Sequence, residues 1–130
     1  MFCLDSDILI AYLRGSQTAK EKITEFEKQG LVFITPISAY ELYFGAYLSS
    51  ESANNLQAVS ALLSYFSILP FSQNEAKLAG EYSALLQKGG LSIGIRDCMI
   101  ASIAKTHNKI IITRNTKHFS SIPNLKIEKW

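Results

Sequence analysis

Short apolar blocks alternate along this chain with longer stretches in which apolar positions return every three or four residues. The blocks are Met1–Leu4, Leu31–Thr35, Ser67–Phe71, Lys109–Thr113 and Leu125–Glu128, rich in β-branched and aromatic residues with little alternation. Runs of that kind suit strands covered on both faces, as in a parallel sheet between helical layers. The intervening stretches Asp7–Leu13, Ala19–Gln29, Ile37–Leu48, Ser52–Phe66, Asn74–Gln87 and Arg96–His107 predict helices. Punctuation agrees: Pro36 suits a first helical position, Gly30 and Gly89–Gly90 suit helix stops, and Ser72 with Glu75 reads as a capping box. The alternation predicts an α/β fold with a mainly parallel sheet of about five strands. No repeat, linker or low-complexity segment interrupts it, so residues 1–130 are expected to form a single domain.

Composition narrows the class. With 48% hydrophobic and 18% charged residues the chain is expected to be globular. No apolar run approaches the ~20 residues that cross a bilayer. The start MFCLDSD lacks a basic segment and reaches a carboxylate at once, unlike a signal peptide. A cytoplasmic protein with no membrane partner is the expectation. Cys3 and Cys98, both in apolar contexts, predict buried thiols rather than a disulfide or zinc site. Net charge is +2, unevenly spread: Gly94–Trp130 holds seven lysines and arginines against Asp97 and Glu128. A basic region beside an acidic site would suit a polyanionic substrate, although lysines scattered over a solvated surface give the same count.

Four residues stand where apolar segments end or face inward. They are Asp5 in FCLDSDILIAYLRG, Glu41 in ISAYELYFGA, Asp97 in IGIRDCMIASIA and Asn115 in IIITRNTKHF. Each has a structural alternative. Asp5 and Asp97 could cap or open helices, Asn115 could cap a short turn, and Glu41 could pair with an arginine. In Ile37–Leu48, apolar residues at 37, 40, 44 and 48 predict the core stripe, with Glu41 pointing along it. Asp5 and Asn115 follow strands, where open parallel sheets gather ligands, so all four can converge on one sheet edge. Two like charges ~4 Å apart repel by ~4 kcal/mol at an effective dielectric of 20, so converging carboxylates need a cation. Hard oxygen ligands select Mg²⁺ or Mn²⁺, ions that polarise a phosphoryl oxygen and activate water. Neither histidine is expected to act as a general base. His107 ends a helix, and His118 is expected to pack near Phe119.

The segments LDSDILIAYLRG, ISAYELYFGA, GGLSIGIRDCMIASIA, IIITRNTKHF and IPNLKIEKW, in that order and spacing, resemble the PIN-domain ribonucleases. The likeness is to the VapC-type toxins of toxin–antitoxin pairs and covers essentially the whole chain. It implies a PIN-like three-layer α/β/α fold. Asp5 and Asp97 would be the main Mg²⁺ ligands, with Glu41 completing the acidic triad. Asn115 would take a fourth place that is often an aspartate. It further implies a homodimer, endonucleolytic cutting of RNA (often tRNA), and a cognate antitoxin whose segment blocks the acidic pocket. Ser6, Asp7, Thr113, Arg96 and Arg114 adjoin these positions and are expected around the ligands or on the substrate. The chain departs from the family at Asp7, commonly Asn, and at Arg96, where a small or polar residue is usual. Asn115 in place of Asp weakens the case for a second ion.

Two rivals stay open on the residues alone. Asp5-Ser6-Asp7 after a strand also resembles the opening of haloacid-dehalogenase phosphatases, but the later lysine and closing acidic pair of that fold are missing. A non-catalytic binding module could use Tyr40, Tyr43, Phe44 and Tyr47 as an interface.

Overall fold

The computed structural model describes residues 1–130. In chain order the elements are β1 (Phe2–Leu4), α1 (Ser6–Leu13), α2 (Gln17–Gln29), β2 (Val32–Ile34), α3 (Pro36–Leu48) and α4 (Ser52–Tyr65). Then follow β3 (Ser67–Ile68), α5 (Gln73–Lys88), α6 (Ile95–Thr106), β4 (Ile110–Ile112), α7 (Thr116–Ser120) and β5 (Ile127–Glu128). The strands make one five-stranded sheet in the order β3-β2-β1-β4-β5, every neighbouring pair parallel.

Side chains leave each strand alternately up and down, and this divides the interior in two. Phe2, Leu4, Ile34 and Ile112 join Ile8, Leu9, Ile23, Phe26, Leu42 and Leu63 on the face covered by α1–α4. Cys3 and Ile111 join Tyr82, Leu86, Ile100, Ile103 and Phe119 on the face covered by α5–α7. The result is the expected three-layer sandwich. Cys3 and Cys98 are free and buried in the second core, as their apolar contexts predicted. Burial pushes the Cys3 thiol up to about 12, which leaves it inert at neutral pH. No helix is long and apolar enough to cross a membrane.

The punctuation works as read, with Pro36 opening α3 and Gly30 and Gly89 at the ends of α2 and α5. The Glu75 carboxylate accepts from the Ser72 N–H at 3.0 Å and lies 3.0 Å from His107 Nε2, tying the start of α5 to the end of α6. Ser67–Phe71 shortens to two paired residues because Pro70 has no N–H for the ladder. Asn115 precedes the five-residue helix α7, which its side chain does not cap.

One expectation is overturned. The buried stripe of α3 is Ser38, Leu42 and Ala46, while Tyr40, Phe44 and Leu48 are exposed. Leu42, between Ser38 and Ala46, carries the apolar burial of α3, and Tyr40 and Phe44, which mark a core in the sequence, are turned outward. Glu41 therefore stands beside the buried stripe, not on it, and remains half-buried.

Candidate functional site

The sheet order reverses at β1. The chain leaves β1 for β2 on one side and returns through β4 on the other, so the carboxyl ends of β1 and β4 flank a crevice where open sheets hold ligands. Asp5 sits in that crevice. Its N–H donates to the Ile112 carbonyl at 3.0 Å, which fixes it to β4. Its backbone is extended and its Oδ1 accepts from the Ser6 N–H at 2.8 Å, so it also caps α1. Only 2% of its surface reaches solvent. Thr113, fully buried at the end of β4, donates its hydroxyl to Asp5 Oδ2 at 2.7 Å and accepts from the Asn115 N–H at 3.0 Å.

Asp7 stands one step outward. Its Oδ2 accepts from the Arg114 N–H at 2.7 Å and lies 3.2 Å from the Thr113 hydroxyl, whose single proton serves one carboxylate at a time. Its Oδ1 accepts from the Trp130 indole N–H at 3.0 Å. Both its oxygens are thus tied to the chain, one to the β4–α7 turn and one to the C-terminal Trp130.

Burial and the neighbouring charge of Asp7 push the Asp5 carboxyl up from 3.8 to about 7; the Thr113 and Ser6 hydrogen bonds oppose this and Asp97 adds to it. Glu41 is also raised, first by burial, against Arg96 and the Ser6 hydroxyl, with Asp97 and Asp7 adding to the rise. Four carboxylates from three segments thus feel one another's fields. The Arg96–Glu41 pair is loose, with Nη1 3.9 Å from Oε2 and the guanidinium exposed. Asp97 lies in the first turn of α6, and its Oδ2 accepts from His118 Nδ1 at 3.0 Å.

The His118 contact corrects an expectation. Phe119 is buried in the second core, so its neighbour on α7 points the other way, across to Asp97 rather than onto Phe119. Asn115 is exposed, and only its backbone is tied to the site. Sequence reasoning missed His118 and Trp130 as neighbours of the acids. For His118 the adjacent buried Phe119 was a usable signal; for Trp130 there was none.

No three His, Cys, Asp or Glu side chains converge closely enough in this conformation to hold an ion. The donor set nevertheless fits Mg²⁺ in kind. It is made of carboxylate oxygens, and the raised Asp5 and Glu41 mark a place short of positive charge. In this conformation Glu41 and Asp97 are turned to Arg96 and His118.

Comparison with known proteins agrees with the geometry. Residues 2–125 match the PIN domain family model. The chain is 30% identical over 131 residues to ribonuclease VapC2 of Rickettsia felis, covering 100% of this chain and 98% of that one. It is 29% identical over 129 residues to the tRNA(fMet)-specific endonuclease VapC of Shigella flexneri, covering 99% and 97%. The crystal structure of VapBC2 from Rickettsia felis bound to a promoter DNA fragment superposes with a TM-score of 0.91 at 29% identity, over 99% of this chain and 98% of that one. A family match across nearly the whole length, on the same fold and with a buried carboxylate, Asp5, at the sheet's switch point, leads to one assignment: the chain belongs to the PIN-domain family, among the VapC ribonucleases of toxin–antitoxin pairs.

Proposed function

We propose that this protein is a Mg²⁺-dependent endoribonuclease, the toxic member of a toxin–antitoxin pair, which hydrolyses RNA phosphodiester bonds with tRNA among its targets. The observation that carries this reading is Asp5: a carboxylate 2% exposed at the β1/β4 switch point, with its affinity for a proton raised by burial and by neighbouring acids. Asp5 and Asp97 hold the ion, Glu41 completes the set, and Mn²⁺ can replace Mg²⁺. The bound ion would supply charge neutralisation, polarisation of a phosphoryl oxygen and activation of water. Thr113 and the Ser6 N–H orient Asp5, and Asn115, exposed on the rim, faces substrate. Arg96 stands beside Glu41 at the rim of the site.

The protein acts in the cytoplasm as a homodimer. The exposed α3 ridge of Tyr40, Phe44, Tyr47 and Leu48 supports pairing. A cognate antitoxin silences it by laying a segment over the acids; a cleft of about 310 Å³ beside Glu41, lined by Ile10, Leu13, Leu42 and Ala46, offers that segment an apolar bed.

The test is purified protein with total RNA, with and without Mg²⁺. Cleavage is expected only with the ion, and Asp5→Asn and Asp97→Asn should each abolish it. Undiminished cutting by either variant would remove the site from the reaction.

A further inference from the structure

We propose that the cleft between the end of α1 and the β4–α7 turn is a phosphate subsite, in which Arg14 and Arg114 hold the RNA backbone beside the acidic centre. This rests on the ribonuclease reading above. The cleft has a volume of about 490 Å³ and is lined by Asp7, Arg14, Gly15 and Ser16 from α1 and the turn after it, and by Arg114 from the β4–α7 turn. That size admits a nucleotide unit rather than a lone ion.

Both arginines are exposed, and neither joins any of the chain's ion pairs. Their guanidinium N–H donors are likewise unspent on carbonyls or hydroxyls of the chain. Two unpaired cations on one cleft repel each other, and an anion between them relieves the repulsion. Arg114 is also held ready. Its guanidinium carbon lies 3.5 Å from the centroid of the Trp130 ring, and its backbone N–H is fixed to Asp7. The stack covers one face of the guanidinium and leaves its edge donors free, the geometry suited to phosphate oxygens.

Arg14 ends α1, where Gly15 at φ +86° turns the chain into α2. A side chain at that φ would strain the turn that sets the Arg14 wall. Asp7 lines the cleft too and carries the like charge of an RNA phosphate, but both its oxygens already accept from donors of the chain, which offsets part of that charge. The cleft is next to the reaction centre because Asp7 and Asp5 share the Thr113 hydroxyl. An acidic centre repels a polyanion, and a strand whose scissile phosphate lies there needs cations for the phosphate beside it. Arg14 and Arg114 supply them.

The experiment compares wild type with Arg14→Gln, Arg114→Gln and, as a control on the far end of α2, Lys28→Gln. Cleavage of a labelled single-stranded oligoribonucleotide is followed in Mg²⁺, and its binding is followed by anisotropy in EDTA at several salt concentrations. Each arginine variant should raise KM about tenfold with kcat unchanged. Each should also reduce the slope of log affinity against log salt by about 0.7, while Lys28→Gln changes neither. Arg114→Lys, which keeps the charge, should recover the slope. Arg14 has no partner to lose, so Arg14→Gln remains decisive even where Arg114→Gln disturbs Trp130. Wild-type cleavage with KM and salt slope unchanged in both glutamine variants overturns the subsite and leaves the ribonuclease reading standing. A fall in kcat at constant KM also overturns it, since the arginines would then act in the reaction itself. A wild type that cuts no RNA fails the ribonuclease reading first, and the subsite with it.

Discussion

Asp5 keeps its proton up to about pH 7, where an ordinary aspartate loses it near 3.8, because burial and the charge of Asp7 disfavour the anion. Between those values the folded protein holds a proton that the unfolded chain has released. The stability present below about 3.8 is therefore lost as pH rises through about 7, at roughly 1.4 kcal/mol for each tenfold gain in proton affinity, or ~4 kcal/mol in all. Thermal melts of the metal-free protein should show Tm falling from pH 5 to pH 8, with the fall reduced in Asp5→Asn. Mg²⁺ should raise the wild-type Tm at pH 8 far more than at pH 5, because at low pH the proton already holds the ion's place. Parallel pH profiles for wild type and Asp5→Asn would contradict this. Thr113→Val keeps the shape but removes the donor to Asp5 and the acceptor for the Asn115 N–H, and should cost about 1–3 kcal/mol in denaturant unfolding. At this scale Asp5, Glu41 and Asp97 were legible, since carboxylates in apolar surroundings are conspicuous. Of their partners, Thr113, 108 residues from Asp5, came into view only through the family resemblance, and Trp130, 123 from Asp7, did not come into view at all. No local spacing carries such contacts.

The six long helices declare themselves through periodicity and caps, Thr35 and Pro36 at the start of α3 among them, whereas five residues are too few for α7 to show a period. Which face a helix buries is a separate question. In α3 apolar residues occupy nearly every direction, so periodicity could not choose between the stripe through 40, 44 and 48 and the one through 38, 42 and 46. Packing chose the second. The consequence is measurable: Leu42→Ala should lose about 2–5 kcal/mol, whereas Phe44→Ala, half-exposed, should lose less than ~1 kcal/mol in dilute protein. Equal losses would restore the stripe read from the sequence. Glu41, at the edge of the buried stripe, gains little from a pair 3.9 Å long with an exposed arginine. Glu41→Gln should leave Tm unchanged or slightly higher without metal, since the neutral amide escapes the desolvation that raises the carboxyl.

For the whole molecule, layering and parallel strands could be read from alternating blocks, but the strand order 3-2-1-4-5 could not, because nothing local says on which side of β1 the chain returns. That return places β4 beside β1, and with it Thr113, Arg114 and Asn115 beside Asp5. The same packing that turned small residues inward left Tyr40 and Phe44 stacked 5.9 Å apart on the outer face of α3, with Tyr47 and Leu48 further along the ridge. An apolar ridge of that kind is a surface suited to burial against a partner, and the twofold pairing proposed above, through α3, would cover it on both copies. Because Glu41 belongs to the same helix, such pairing would also set two acidic centres at a fixed separation on one assembly. Phe44→Asp combined with Tyr47→Asp should convert the sedimenting species from dimer to monomer, since two buried charges per chain would have no partner across the contact. Asp5→Asn should leave the mass unchanged, as its side chain lies in the crevice and not on the ridge. A double variant that still sediments as a dimer would place the contact elsewhere.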